Sequence, residues 1–121
     1  MIIDYNNCFW GDSVLEELNI KYDKINITVY NDVLNKNILI ECFHCVGVTE
    51  IISWDENIID NIFVSKISDA AHPMIADVKQ LYGEETYGCE KSLSGDFYEL
   101  KVLLINGTDF RVICKDIIFS D

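Results

Sequence analysis

The sequence has few residues of the kinds that divide a chain into domains or direct it to a membrane. It contains one proline and six glycines, and no serine-rich or glycine-rich linker is present, which predicts a single domain over residues 1–121. No apolar run approaches the roughly 18 residues that a membrane span needs. Residues 1–7 lack the basic and apolar segments of a secretory signal. We therefore expect a cytoplasmic protein.

Cysteines and histidines are too few and too scattered to indicate a metal site. The five cysteines form no paired framework, which fits a reducing compartment. Cys42-Phe43-His44-Cys45 has the spacing of a metal or redox motif, but Cys42 and Cys45 would point to opposite faces of a regular strand and could converge only at a bulge or turn. No second motif supplies further ligands. We predict buried structural cysteines, with no metal and no cofactor.

Basic residues are also scarce, and this restricts the possible partners. The chain has 21 acidic and 9 basic residues, giving a net charge of −12, so nucleic acid and anionic membranes are poor partners. Residues 1–60 carry −8 and residues 61–121 carry −4. Such a field either keeps the protein dispersed or steers it toward a basic protein.

Alternating apolar residues predict strands along most of the chain. Pro73, an apolar stripe at helical spacing and Gly83 predict one helix over about residues 73–82. Residues 14–22 fit either a strand or a helix capped by Ser13 and Glu16, and we favour the strand. The predicted fold is α+β, a mainly antiparallel twisted sheet of about six strands with the helix packed on it. The six segments are residues 14–22, 25–30, 37–48, 60–68, 97–105 and 109–119.

The last two segments flank Asn106-Gly107, which predicts a hairpin. A three-residue loop at 106–108 would place Tyr98, Leu100, Val102 and Leu104 on one face, opposite Asp116, Cys114, Val112 and Phe110. The same register would place Glu99 opposite Lys115, so that unlike charges face each other.

Catalytic signatures are weak. Glu99-Leu100-Lys101 resembles the E-x-K element of metal-dependent nucleases, but a nuclease of this charge would repel DNA. No serine lies in a nucleophile elbow, and no glycine-rich loop follows a strand. We therefore predict a protein that is not an enzyme.

Two clusters that combine acidic and aromatic residues are the candidate binding site. An aromatic ring beside carboxylates suits a contact with a basic protein, because the ring buries area and the acids pair with lysine or arginine. The alternative is a solvated loop whose ring packs back onto the core. The candidate residues are Trp54, Asp55, Glu56 and Asp60 in one cluster, and Glu84, Glu85, Tyr87 and Glu90 in the other.

The size, the acidity, the β-rich layout with one helix and the Gly11-Asp12-Ser13 start together resemble the small acidic bacterial immunity proteins of toxin–immunity systems. That resemblance implies a cytosolic inhibitor that covers the active site of a basic toxin or nuclease domain by charge and shape. It transfers no individual residue. The alternative is an accessory structural or assembly protein that forms a homo-oligomer, and a metal-dependent nuclease is more remote.

Overall fold

A computed structural model of the chain describes Asp4, Tyr5 and residues 8–49, 57–68 and 96–121. Within these ranges the chain forms one sheet of eight strands and no α-helix, and no helix there is long and apolar enough to cross a membrane. The strands are β1 (Ser13–Lys21), β2 (Lys24–Asn31), β3 (Lys36–Phe43), β4 (Gly47–Val48), β5 (Ile58–Ser68), β6 (Asp96–Leu104), β7 (Asp109–Cys114) and β8 (Asp116–Ser120).

The predicted α+β class with about six strands is wrong, since the described residues form a nearly all-antiparallel sheet of eight strands. The helix predicted at 73–82 lies outside the described residues. The two additional strands arise because predicted segments 37–48 and 109–119 are each interrupted. His44 adopts a φ of 55° after β3, and Lys115 separates β7 from β8. The two breaks face each other, as the Lys115 amide donates to the Phe43 carbonyl at 3.1 Å.

The sheet order β4-β7-β6-β5-β1-β2-β3-β8 consists of two four-stranded halves. One half is β1-β2-β3-β8 and the other is β5-β6-β7-β4. At one junction β1 pairs with β5 through Ser13 with Ile59 and Val14 with Ile58. At the other, β3 turns into β4 while β7 turns into β8. Strands that bend from one half into the other are the usual corners of two packed sheets.

The core lies between the two halves and draws its side chains from both. The predicted inward row of β2 is confirmed, since Ile25, Ile27 and Val29 are buried. Residues 14–22 form a strand, as we favoured, and Ser13 is buried at its start rather than capping a helix. The largest side chains excluded from solvent include Phe97, Phe110, Ile27, Ile38, Ile40, Ile59, Leu100 and Leu104.

The β6–β7 hairpin keeps the predicted faces but differs in register. Its three-residue loop is 105–107 rather than 106–108, because the Leu104 amide donates to the Thr108 carbonyl at 2.9 Å. Gly107 is thereby the last loop residue, with a φ of +90°, the position at which such loops favour glycine. Moving the loop by one residue shifts the register of β7 relative to β6 by two residues. Val102 therefore faces Phe110, and Lys101 faces Arg111 instead of Ile113.

Candidate functional site

Asp60 is the one predicted site residue that lies within the described ranges. It is exposed at an irregularity in β5, between Ile59 and Asn61, where the pairing with β6 shifts. The other predicted residues lie outside the described ranges, and they are Trp54, Asp55, Glu56, Glu84, Glu85, Tyr87 and Glu90.

The junction of β1 with β5 brings further carboxylates close to Asp60. The Asp12 amide donates to the Ile59 carbonyl at 2.9 Å, and Asp12 is exposed with a φ of 64°, a conformation that aspartate tolerates better than most residues. Glu16 is the extra residue of a bulge between Leu15 and Glu17. We name the exposed carboxylates along this junction the acidic strip, which comprises Asp12, Glu16, Glu17 and Asp60.

One further hydrogen bond links β1 to the described segment 57–68. The Leu15 amide donates to the Asn57 carbonyl at 2.8 Å, so Asn57 lies beside β1. Glu16 is the next residue along that strand. The sequence pattern identified Asp60 but not Asp12 or Glu16, because their proximity depends on pairing between strands more than 40 residues apart. No local pattern reports such a pairing.

Within the described residues, no member of the acidic strip has an ion-pair partner. The acids of the β6–β7 hairpin differ in this respect. Asp109 lies 3.5 Å from the Arg111 guanidinium and 3.8 Å from the Lys101 ammonium, and Glu99 lies 4.0 Å from Arg111. Glu99 and Asp109 of the hairpin thus have cations nearby, whereas the acidic strip presents an unbalanced negative potential to solvent.

The cysteine motif converges in a way that a regular strand would not allow. His44 ends β3 in the left-handed region, and this turn directs Cys45 into the same core as Cys42. The Cys45 thiol donates to the Cys42 carbonyl at 3.4 Å. The predicted burial of both cysteines is confirmed. They converge because the strand ends between them at the His44 turn, the kind of interruption that the sequence predicts to be necessary for convergence.

The buried thiols are poorly suited to nucleophilic chemistry. Hydrogen bonding with the Cys114 thiol and then burial raise the pKa of Cys45. Hydrogen bonding with the Cys42 thiol and burial together raise the pKa of Cys114, against an opposing contribution from the Cys45 thiol. Thiols act as nucleophiles and metal ligands in the thiolate form. Residues 4, 5, 8–49, 57–68 and 96–121 contain no group of three or more His, Cys, Asp or Glu side chains placed to bind a metal ion.

The E-x-K element is occupied by contacts within the sheet. Glu99 approaches Arg111, and the Lys101 ammonium lies 3.8 Å from Asp109 and 5.7 Å from the centre of the Phe63 ring. Lys115, predicted to pair with Glu99, lies instead over the Phe97 ring at 5.3 Å. These contacts give Glu99 and Lys101 a structural role within the sheet.

A cavity of about 260 Å³ lies beside β5, close to the acidic strip. It is slightly smaller than the roughly 300–1,000 Å³ of typical ligand pockets. The residues that line this cavity include Tyr5, Cys8, Trp10, Asn61, Phe63 and Ser65. Among the described residues, the buried Trp10 indole N–H has no hydrogen-bond partner.

Comparison with known proteins adds no family. No family model matches the chain, and no curated protein matches it.

Proposed function

We propose that this chain is a protein-binding module that engages a basic partner protein through the acidic strip. One observation carries the proposal: four exposed carboxylates lie within a few residues of the β1–β5 junction and have no ion-pair partner among the described residues. Carboxylates whose charge is not balanced within the fold are available to pair with lysine or arginine of another protein. The net charge of −12 adds a long-range attraction for a basic partner.

The specific form of the proposal is an immunity-type inhibitor that acts in the cytoplasm on a basic toxin or nuclease domain. Such an inhibitor needs a rigid scaffold that displays acidic groups, and three members of the acidic strip lie on strands of the sheet that buries the core, Glu16 and Glu17 on β1 and Asp60 on β5. Groups on regular elements are held more accurately than groups on loops. The predicted acidic clusters at Trp54-Asp55-Glu56 and at Glu84 to Glu90 remain candidates for binding the same partner, and they lie outside the described residues.

The experiment starts with capture of partners from a lysate of the native host on the immobilised chain at low salt. The captured basic protein is then purified and titrated calorimetrically at about 50 and 300 mM salt. We expect one-to-one binding that weakens roughly tenfold or more over this range, since salt screens attraction between exposed charges. Inhibition of the partner's activity would establish the immunity-type role.

Matched variants locate the contact. The double variant Asp12→Asn, Asp60→Asn removes two charges from the acidic strip, and Asp32→Asn, Asp116→Asn removes two exposed charges elsewhere. We expect the first variant to weaken binding by about tenfold and the second by less than about threefold. Equal losses would show that total charge, rather than the acidic strip, drives binding. Salt-independent binding would contradict the proposal.

The homo-oligomeric alternative is also supported by one observation, the open edge of β1. That edge leads to an inference that needs no basic partner, although Glu17 of the acidic strip takes part in it.

A further inference from the structure

Among the described strands, β1 is paired along the whole of one edge only. Beyond Val14, no described strand pairs with the side of β1 that faces away from β2. Ile20 is exposed on that side of the sheet: its partner Ile25 across the ladder is 2% exposed, but Ile20 itself is 57% exposed. The two side chains share the face that continues into the core, so the exposure of Ile20 agrees with a β1 edge that no described strand covers.

The open edge offers backbone groups in a definite order. The β1–β2 hairpin has a two-residue loop, Tyr22-Asp23, closed by Lys21 and Lys24. The closing pair of such a hairpin exchanges hydrogen bonds, and pairs then alternate along the ladder. The N–H and C=O groups of Leu18 and Ile20 therefore point away from β2. An unpaired row of this kind is a template for another strand.

The charges on β1 are arranged symmetrically about Asn19. Glu17 and Lys21 are both exposed, share one face and have no ion-pair partner within the described ranges. We propose that two copies of this chain pair through β1, antiparallel and with a two-fold axis at Asn19. Glu17 of each copy then faces Lys21 of the other, and Leu18 faces Ile20.

This register satisfies both the backbone and the side chains. Leu18 and Ile20 of opposite copies exchange hydrogen bonds, and the buried faces of the two sheets become continuous. Glu17 and Lys21 fall in non-hydrogen-bonded pairs, in which side chains approach most closely. Registers centred on Leu18 or on Ile20 would place Glu17 or Lys21 opposite Asn19 and create no pair of unlike charges.

The net charge of −12 on each copy opposes this contact, so the pairing is expected to be weak. A short strand contact falls at the small end of specific interfaces, and we expect dissociation constants of roughly 10 μM to 1 mM. Two electrostatic contributions act on the dimer, the repulsion between the two negatively charged copies and the attraction within the Glu17–Lys21 pairs. Salt screens the repulsion over about 10 Å and weakens the close pairs much less. Dimerisation of the wild-type chain should therefore strengthen when salt is raised from low concentration.

Charge reversals test the register. Sedimentation equilibrium from about 10 μM to 1 mM would compare the wild-type chain with Glu17→Lys, with Lys21→Glu and with the double variant that exchanges the two charges. We expect each single reversal to weaken dimerisation roughly tenfold or more, and the exchange to restore it, because both unlike pairs are then re-formed. Mixing the two single variants should produce a heterodimer, in which every facing pair is again of unlike charge.

Net charge gives a different prediction and serves as the internal control. Glu17→Lys makes the chain less negative and Lys21→Glu makes it more negative, so a contact governed by total charge would be strengthened by the first and weakened by the second. That pattern would overturn the proposal, as would a wild-type chain that stays monomeric at 1 mM, roughly the weakest affinity expected. Circular dichroism shows whether each variant is folded. Formation of the heterodimer in the mixing experiment would itself require both single variants to be folded.

Discussion

The two hairpins β1–β2 and β6–β7 lie on either side of β5, and they differ in how much of each is covered. The β6–β7 hairpin is paired on both edges, with β5 on one side and β4 on the other. Its outer acids lie near Lys101 and Arg111. Within the described residues, no strand pairs with the outer edge of β1 beyond Val14, and Glu16 and Glu17 of β1 have no ion-pair partner. The comparison shows that charge balance follows strand pairing: the fully paired hairpin acts as scaffold, and the open one presents charge.

The largest expected difference is between the labelling rate of thiols buried in the core, Cys114 of β7 among them, and that of a thiol on open β1. In a variant that replaces Cys8 and Cys89 with serine, the remaining thiols Cys42, Cys45 and Cys114 are buried. They should react with a maleimide only when the protein unfolds. With a typical free energy of unfolding, this slows the reaction by about 10³-fold or more. A cysteine introduced by Ile20→Cys on open β1 should react at nearly the rate of an unfolded chain, and slow labelling of this residue would show that β1 is covered.

Side-chain truncation should distinguish the hairpins nearly as clearly. Phe110 is fully buried in β7, so Phe110→Ala should lower the free energy of unfolding by about 3–5 kcal/mol. Ile20→Ala on the open edge should lower it by less than about 1 kcal/mol. Urea denaturation of both variants measures the difference. Similar losses at the two positions would be inconsistent with an open β1 edge.

The sequence predicts the inward faces of these strands well and their interruptions poorly. Alternation identified the buried rows of β2, β6 and β7 because each apolar face fits the same core. It continued without change through His44 and Lys115, where the chain bends, so two strands were predicted as one in each case. The loop of β6–β7 was misplaced by one residue, because the predicted loop placed Gly107 in the middle. In the structure, Gly107 is the last loop residue, where its φ is positive.

Substitution of Gly107 in the turn of the β6–β7 hairpin should have an effect of intermediate size on stability. A Cβ added to Gly107 would meet no atom within 4 Å, so the cost of Gly107→Ala comes only from the positive φ and should be about 1 kcal/mol. Gly107→Asn should cost less, because asparagine tolerates this conformation. Thermal denaturation of the two variants is the measurement. An equal cost for alanine and asparagine would indicate that the backbone is not held at this φ.

The smallest expected effect concerns charge. Arg111 lies near both Glu99 and Asp109, so Arg111→Gln should cost about 0.5–1 kcal/mol at low salt and less at high salt, because its side chain is partly exposed. Glu17→Gln on open β1 should change stability by less than about 0.5 kcal/mol. Urea denaturation at two salt concentrations would test both. A larger loss for Glu17→Gln would mean that its carboxylate is already paired within the monomer.

The most direct test of the acidic strip as a binding surface is an NMR titration with a lysine decapeptide at low salt. If the carboxylates of the strip are available to a basic partner and those of the scaffold hairpin are not, the amide resonances of Asp12, Glu16 and Asp60 should move on titration. Those of Glu99 and Asp109 should stay in place. Equal shifts at both regions, or shifts confined to the β6–β7 hairpin, would contradict the account.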